Sequence, residues 1–145
     1  MKVERSIQLA AAPEDVYRLV MDPRRLKDWV SLHKRLKEAP EGELAEGSKL
    51  TQTLKVAGQR FTVRWTVVED ECPTRVVWEG HGPVRTTAKV TYGFAKRDGG
   101  TSFSYCNEYE LPGGAAGRFA GRAVSGVAAR ETERSLERLK RLLEG

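Results

Sequence analysis

The side chains best suited to acid–base or metal chemistry are few in this sequence. Histidine occurs only at His33 and His81, and cysteine only at Cys72 and Cys106. A general base needs a substrate proton within about 3 Å and a partner that positions it, and the sequence shows neither beside the histidines. The histidines also lack a carboxylate at a recognisable metal-ligand spacing, and Cys106, which points away from the aromatic residues of its strand, has no identifiable activating base. We therefore expect no metal and no cofactor, and we assign no catalytic residue.

A second group of side chains could instead form the wall of a ligand pocket. Alternating strand positions carry aromatic rings, which offer a ligand large contact area and, in Tyr and Trp, a polar atom that orients it. Asn107 shares the aromatic phase of its strand, and Gln52 lies in phase with Leu50, Leu54 and Val56. A buried amide needs a hydrogen-bond partner, which could be a ligand, a water or the backbone. Most of these aromatic residues could equally be ordinary core. The predicted ligand-binding residues are Trp29, Gln52, Leu54, Phe61, Trp65, Trp78, Tyr92, Phe103, Tyr105, Asn107, Tyr109, Phe119 and Ala123.

The opening of the chain predicts one strand followed by two short helices. Residues 3–10 alternate between apolar and polar, which is typical of a strand. Pro13 and the carboxylates after it predict a helix N-terminus, since proline fits the first turn and acidic groups favour the positive end of the helix dipole. Asp22 is placed to cap a second short helix, from residue 23 to about 29.

The middle of the chain predicts six further strands. Turn signals separate them, and connections this short favour antiparallel hairpins. In the strand around Trp65, apolar residues alternate with Thr and Arg, which indicates one buried and one solvated face. The predicted spans are about 34–39, 48–56, 59–71, 75–81, 85–96 and 101–111.

The remainder of the chain predicts a long helix with an uneven apolar face. Its C-terminal half carries leucines, whereas the same face further back carries small residues. Small residues opposite an aromatic sheet favour a cavity, although the backbones could instead approach more closely there. A second apolar stripe is rotated from the first, so the helix could bend near Gly126 or this stripe could contact a lid or a partner. The leucine face is Leu136, Leu139, Leu142 and Leu143; the small residues are Gly121, Ser125, Ala128 and Thr132; the second stripe is Phe119, Ala123 and Val127.

Length and charge limit the classes of protein that need to be considered. The 145 residues fit a single domain spanning residues 1–145. The net charge of +5 permits an anionic partner but requires none, because charges of both signs are interspersed. No apolar run approaches 18 residues, and the start lacks an apolar signal segment. We expect a cytoplasmic protein with no membrane span.

Arginines recur along the last helix and could be taken for a nucleic-acid surface. No aromatic residues are interleaved with them in the manner of such surfaces, and Glu131, Glu133 and Glu137 dilute the charge. A solvated helix face explains the pattern better, so we expect no nucleic-acid partner. Arg118 or Arg122, near the entrance of the predicted pocket, could attract an acidic ligand head group.

The order of these elements resembles the START-like (SRPBCC) helix-grip superfamily, and the sequence is most similar to its polyketide cyclase/dehydrase-type branch. The segments that carry the resemblance are AAPEDVY at 11–17, DPRRLKDW at 22–29, VVWEG at 76–80 and YELPGG at 109–114. The resemblance implies an α+β fold in which a curved antiparallel sheet of about seven strands, in the order β-α-α-β6-α, wraps around a long C-terminal helix. It also implies a pocket for a hydrophobic or amphipathic ligand, and it supplies no shared catalytic motif.

Three functions remain open at this point. The preferred hypothesis is binding of a small hydrophobic ligand, lipid-like or aromatic and polyketide-like, between the sheet and the last helix. The second is a cyclase or dehydrase that folds a polyketide-like chain in the same pocket, with proximity as its main catalytic effect. The third is a protein-interaction module that uses the second stripe of the last helix, and a homodimer is a further option.

Overall fold

A computed structural model of the chain describes residues 2–56, 58–110 and 115–145, with side chains described throughout except at residues 115–125. The strands are β1 (Lys2–Leu9), β2 (His33–Glu38), β3 (Lys49–Val56), β4 (Gln59–Glu71), β5 (Arg75–His81), β6 (Thr87–Arg97) and β7 (Gly100–Glu110). The helices are α1 (Pro13–Val20), α2 (Leu26–Trp29) and α3 (Ala115–Glu144), with a 3₁₀ turn at Pro23–Arg25. None of the helices in these ranges is long and apolar enough to cross a membrane.

The strands form one antiparallel sheet in the order β1-β7-β6-β5-β4-β3-β2. Strands β2 to β7 each pair with their neighbours in the chain, as the short turns predict. Strand β1 returns to pair with β7, from Lys2 opposite Glu108 to Leu9 opposite Thr101. Helix α3 packs against β1 and α2. The predicted helix-grip α+β architecture is confirmed.

The strand boundaries lie close to their predicted positions. Strand β6 begins at Thr87 instead of residue 85, because Val84 and Arg85 have φ angles of 51° and 60°. That left-handed conformation cannot continue an extended strand and is costly for a β-branched residue. Residue 111, the predicted end of the last strand, lies outside the described residues.

The first helices are fixed to the sheet by polar and aromatic contacts. The Asp22 carboxylate caps the 3₁₀ turn, as predicted, by accepting a hydrogen bond from the backbone N–H of Arg24 at 3.0 Å. The Tyr17 hydroxyl on α1 donates to both carboxylate oxygens of Asp70 at 2.8 Å, and its ring packs edge-on against Phe94 with centroids 5.7 Å apart. Burial, together with the Asp70 hydrogen bond, raises the pKa of Tyr17. Helix α1 is therefore attached to both β4 and β6.

Aromatic rings form the centre of the core. Trp29, at the end of α2, is fully buried, and its ring centroid lies 5.9 Å from that of Tyr92, 6.2 Å from Phe103 and 5.8 Å from Tyr105. These contacts are edge-on, the arrangement that the aromatic quadrupole favours. Phe103 continues the cluster to Phe94, with centroids 5.3 Å apart. The rings therefore join α2 to the concave face of β6 and β7.

The leucine face of α3 is narrower than predicted. Leu136 and Leu139 are buried in the core, and Leu143 packs partly against it. Leu142, which the sequence places on the same face, is 42% exposed. The helix continues without interruption through Gly126.

Hydrogen bonds and an ion pair hold the C-terminal half of α3 against the rest of the fold. The Ser135 hydroxyl accepts from the backbone N–H of Ser31 at 3.0 Å, and the Ser31 hydroxyl donates to the carbonyl of Glu131 at 2.9 Å. On the other side, Arg5 of β1 pairs with Glu133 at 3.1 Å. The helix is therefore fixed both to the segment after α2 and to the edge strand β1.

Replacing Gly100 with alanine should destabilise the fold, because this residue lies where β7 approaches the end of β1. A Cβ at this position would overlap the carbonyl oxygen of Leu9 and lie 3.1 Å from the Cα of Ala10. We expect Gly100→Ala to lower the free energy of unfolding by about 1–3 kcal/mol, measured by urea denaturation followed by tryptophan fluorescence.

Gly126→Ala is the matched control for that variant. Gly126 is exposed on α3, and an added Cβ would meet nothing within 4 Å. Alanine is the better helix former, so this variant should raise the free energy of unfolding by up to about 1 kcal/mol. An unchanged stability of Gly100→Ala would contradict the close approach of β1 and β7.

Candidate ligand-binding cavity

A cavity of about 180 Å³ lies between the concave face of the sheet and α3. Aliphatic and aromatic side chains dominate its wall, with a small number of neutral polar groups and two glutamates. The described residues that line it are Leu26, Val30, Leu32, Gln52, Leu54, Val56, Phe61, Val63, Trp65, Trp78, Gly82, Pro83, Thr86, Ala88, Val90, Tyr92, Tyr105, Asn107, Glu108, Tyr109, Ala128, Glu131, Thr132 and Ser135.

Two tryptophans on adjacent strands form one side of the cavity. Trp65 on β4 pairs directly with Gly80 on β5, and a Cβ at Gly80 would lie 2.6 Å from the Trp65 ring. The missing side chain therefore lets the indole lie across the neighbouring strand. Trp65 packs edge-on against Trp78 at 6.0 Å, and Trp78 packs against Tyr92 at 5.5 Å. The rings support one another across three strands.

Gln52 is held by two side chains. Its Oε1 accepts a hydrogen bond from the Trp65 indole N–H at 2.9 Å, and its Nε2 lies 2.9 Å from Nδ1 of His33. Because an indole only donates, the amide group must be oriented with its NH₂ towards His33, so Nδ1 accepts. The amide that the sequence marked as needing a partner is therefore satisfied by side chains of β2 and β4.

A strip of neutral polar groups crosses the cavity from β6 to α3. The rings of Tyr92 and Tyr105 pack edge-on with centroids 5.1 Å apart, and Asn107, on the same strand as Tyr105, donates through Nδ2 to the Thr132 hydroxyl at 3.3 Å. Thr132 in turn donates to the carbonyl of Ala128 at 2.7 Å. Burial raises the pKa of Tyr92 and of Tyr105, so both phenols remain protonated near neutral pH.

One further donor belongs to a residue of the wall. The Trp78 indole N–H is buried and has no hydrogen-bond partner among the described residues, and the same holds for Trp29. Buried polar groups in native proteins are usually paired, so an unpaired donor in a cavity residue is a place where a ligand or a water could bind.

The predicted ligand-binding residues fall into three groups. Nine of them lie together on the wall of the cavity: Gln52, Leu54, Phe61, Trp65, Trp78, Tyr92, Tyr105, Asn107 and Tyr109. Trp29 and Phe103 lie instead in the packed aromatic core, both fully buried, and they do not contribute to the described wall. Phe119 and Ala123 lie on α3 where side chains are outside the described part of the chain, so their role stays a prediction.

Sequence reasoning missed the wall residues within and just after α2 and those in the β5–β6 loop. Leu26, Val30 and Leu32 carry only a short apolar signal, and nothing in the sequence shows which side of α2 they face. Gly82, Pro83 and Thr86 form a loop whose position over the cavity depends on the tertiary fold. Val63 could have been found, since it shares the phase of Phe61 and Trp65.

No histidine or cysteine is among the described residues that line the cavity. His81 is exposed, as its phase predicts. Cys106 lies opposite Glu4 and Thr91, away from the aromatic face, and burial raises the pKa of its thiol. Among the described residues, no three His, Cys, Asp or Glu side chains are grouped so that they could hold a metal ion.

A second concavity, of about 470 Å³, involves the outer-face ends of β1, β5, β6 and β7. Its wall includes charged side chains of both signs, among them Lys2, Glu79 and Lys89. Ligand sites are mostly apolar with a few placed polar groups, and the smaller cavity has that character. We therefore take the cavity under α3 as the candidate site.

Comparison with known proteins places the chain among proteins of the same fold. Residues 1–144 match the family described as polyketide cyclase/dehydrase and lipid transport. The uncharacterized protein Rv1546 of Mycobacterium tuberculosis is 28% identical over 144 residues, which covers 97% of this chain and 96% of the relative. The toxin Rv0910 of the same species is 23% identical over 104 residues, 72% of each chain. The crystal structure of TTHA0849 from Thermus thermophilus superimposes with a TM-score of 0.79 at 21% identity, covering 99% of this chain and 97% of that one.

The environment of His33 predicts a loss of stability in mild acid. Burial lowers the pKa of His33 below its usual value of 6.5. The unfolded chain therefore takes up a proton on His33 before the folded protein does, so this contribution to stability is complete above about pH 6.5 and is lost as the pH falls towards the lower pKa of the folded state. We expect the free energy of unfolding of the wild type to fall between pH 7 and pH 5 relative to that of His33→Gln.

Urea denaturation of the two proteins at matched pH isolates the histidine, because the carboxylates titrate in both. An NMR titration of the His33 ring should give a pKa below 6.5. A constant difference in stability across this pH range would contradict a half-buried His33 that is held neutral.

Proposed function

The chain belongs to the polyketide cyclase/dehydrase and lipid transport family, and we propose that it binds a small, largely apolar ligand in the cavity under α3. The observation that supports this most directly is the cavity itself, in which an aromatic and aliphatic wall surrounds one strip of neutral hydrogen-bonding groups. This composition matches that of small-molecule sites, where apolar contact gives affinity and a few polar atoms give orientation.

The size of the cavity favours a compact ligand. Its volume is about 180 Å³, and an engineered apolar cavity of about 150 Å³ in another protein stays dry and binds benzene. A ligand of one or two fused rings is therefore the expected scale. Burying about 200 Å² of its apolar surface would contribute about 5 kcal/mol before the cost of association.

Orientation would come from the donors that the fold leaves available. Tyr105 lines the cavity and burial raises its pKa, so its hydroxyl stays protonated and can donate its hydrogen to a ligand. The Trp78 N–H is a second donor without a partner in the described part of the chain. A ligand with an acceptor oxygen, such as a carbonyl, would suit both.

A cyclase acting in the same cavity is the second candidate. The hydroxyl of Tyr105, in a wall that is mostly apolar, could polarise a carbonyl of a folded polyketide-like chain. Because the pKa of this phenol is raised, it would act by donating a hydrogen bond rather than by transferring a proton, and proximity would supply most of the rate. Tyr105→Phe should then abolish turnover while leaving binding weaker but measurable.

Filling the cavity should abolish binding. Ala128 on α3 lines the cavity, and Ala128→Leu places a larger apolar side chain in that space. We expect titration of the wild type with 2-naphthamide to shift the NMR signals of the Trp65 and Trp78 indole N–H groups. The shift of the Trp29 signal should be smaller, because Trp29 lies behind the wall. Ala128→Leu should lose these shifts and change stability by less than about 1.5 kcal/mol.

Ala129→Leu is the matched control, because it makes the same substitution on α3 at a residue outside the described wall. This variant should bind the probe as the wild type does.

Native mass spectrometry of the freshly purified protein, followed by organic extraction, should identify an apolar compound that the cavity retains. Absence of any retained compound, together with no indole shift on titration, would contradict the proposed function.

A further inference from the structure

We propose that the cavity selects ligands by charge: it accepts an uncharged planar ligand with an acceptor oxygen and rejects the isosteric carboxylate. This inference rests on the proposed function and adds the chemical class of the ligand. It excludes free carboxylic acids, which are anionic near neutral pH, from the interior of the cavity.

The described wall offers no positive charge to a buried anion. None of the described residues that line the cavity is a lysine, an arginine or a histidine. The two charged residues that contribute to this wall, Glu108 and Glu131, are both acidic. An ion pair joins Glu131 to Arg134 at 2.9 Å, and the Arg134 side chain is 65% exposed, so this cation is directed to solvent.

A basic side chain bonded to the wall, His33, is held neutral. It contacts Gln52 through Nδ1, and the amide cannot be reversed without leaving the Trp65 indole N–H opposite an NH₂ group. Protonation of Nδ1 would likewise place two donors against each other. Gln52 therefore keeps His33 in the uncharged form and prevents it from serving as a counter-ion.

The remaining polar groups are suited to a neutral acceptor. Tyr105, Asn107 and Thr132 are uncharged, Asn107 donates to the Thr132 hydroxyl, and the Trp78 N–H is an unpaired donor among the described residues. Such groups can replace the hydrogen bonds that a carbonyl oxygen leaves behind in water. They cannot replace the hydration of a full negative charge, which is costly to bury without a cation.

The test compares two ligands of nearly identical shape, 2-naphthamide and 2-naphthoate, on the wild-type protein. Each ligand is titrated at pH 7.5, and binding is monitored by the NMR signals of the Trp65 and Trp78 indole N–H groups. The signal of Trp29, which lies outside the wall, is the internal reference. We expect the naphthoate to bind at least roughly 30-fold more weakly than the amide, since an unpaired buried charge is disfavoured by at least this factor.

The possible outcomes distinguish ligand binding in the cavity from selection of the ligand by its charge. Selective binding of the amide supports both the cavity and its charge selection. Equal binding of the two ligands at the wall tryptophans would overturn charge selection and leave the proposed function intact. Failure of both ligands to bind would count against the proposed function itself.

Arg118 and Arg122 provide the control for this inference. They are basic residues of α3 whose side chains lie outside the described part of the chain, so the test must ask whether they supply a positive charge to the cavity. The double variant Arg118→Ala/Arg122→Ala should leave the affinity for 2-naphthamide and the weak binding of 2-naphthoate unchanged. If the wild type binds the naphthoate tightly and the double variant does not, these arginines supply the missing cation and the inference is wrong.

Discussion

The packing of Trp29 against three rings of the sheet is the contact on which the rest of the structure depends. Its indole fills the concave face over β6 and β7, touching Tyr92, Phe103 and Tyr105, and it brings α2 with it. The core around this ring is well packed. Leu9, Leu136 and Leu139 belong to the same cluster, and their side chains are buried. The cavity lies beside this packed region, where its wall is formed by β3, β4, Trp78 of β5, the N-terminal half of β6 and the C-terminal half of β7. One concave face is therefore divided into a packed part that stabilises the fold and an open part that is available to a ligand.

The polar groups at the open part are arranged so that the wall is both rigid and neutral. Gln52 engages Trp65 and His33 at its two ends, and Asn107 donates to Thr132, which donates to the backbone of α3. Hydrogen bonds between buried side chains favour one arrangement of those side chains over its alternatives. Because each of these groups already has a partner inside the protein, few donors remain for a ligand, and those few limit which ligand fits.

Helix α3 contributes differently along its length. Its C-terminal half carries the leucines and the Ser31–Ser135 contact and is part of the core. Nearer its N-terminus, Ala128 and Thr132 line the cavity with small side chains, so the helix covers the cavity without filling it. The fold itself supplies a covered cavity, whereas the choice of ligand depends on the side chains that line it.

The sequence by itself determined the order and type of the elements. Alternation along β4, the proline and acidic start of α1, the Asp22 cap and the short turns are local signals, and local chemistry is sufficient to interpret them. It also placed nine of the thirteen predicted ligand-binding residues on the cavity wall, because strand phase determines which face a side chain occupies. Only the tertiary structure separated Trp29 and Phe103, which are core, from Trp65 and Trp78, which line the cavity, since phase assigns a face but not a position on it. The partners of Gln52 and the loop over the cavity were likewise decided by the fold, because they join residues that are distant in the chain.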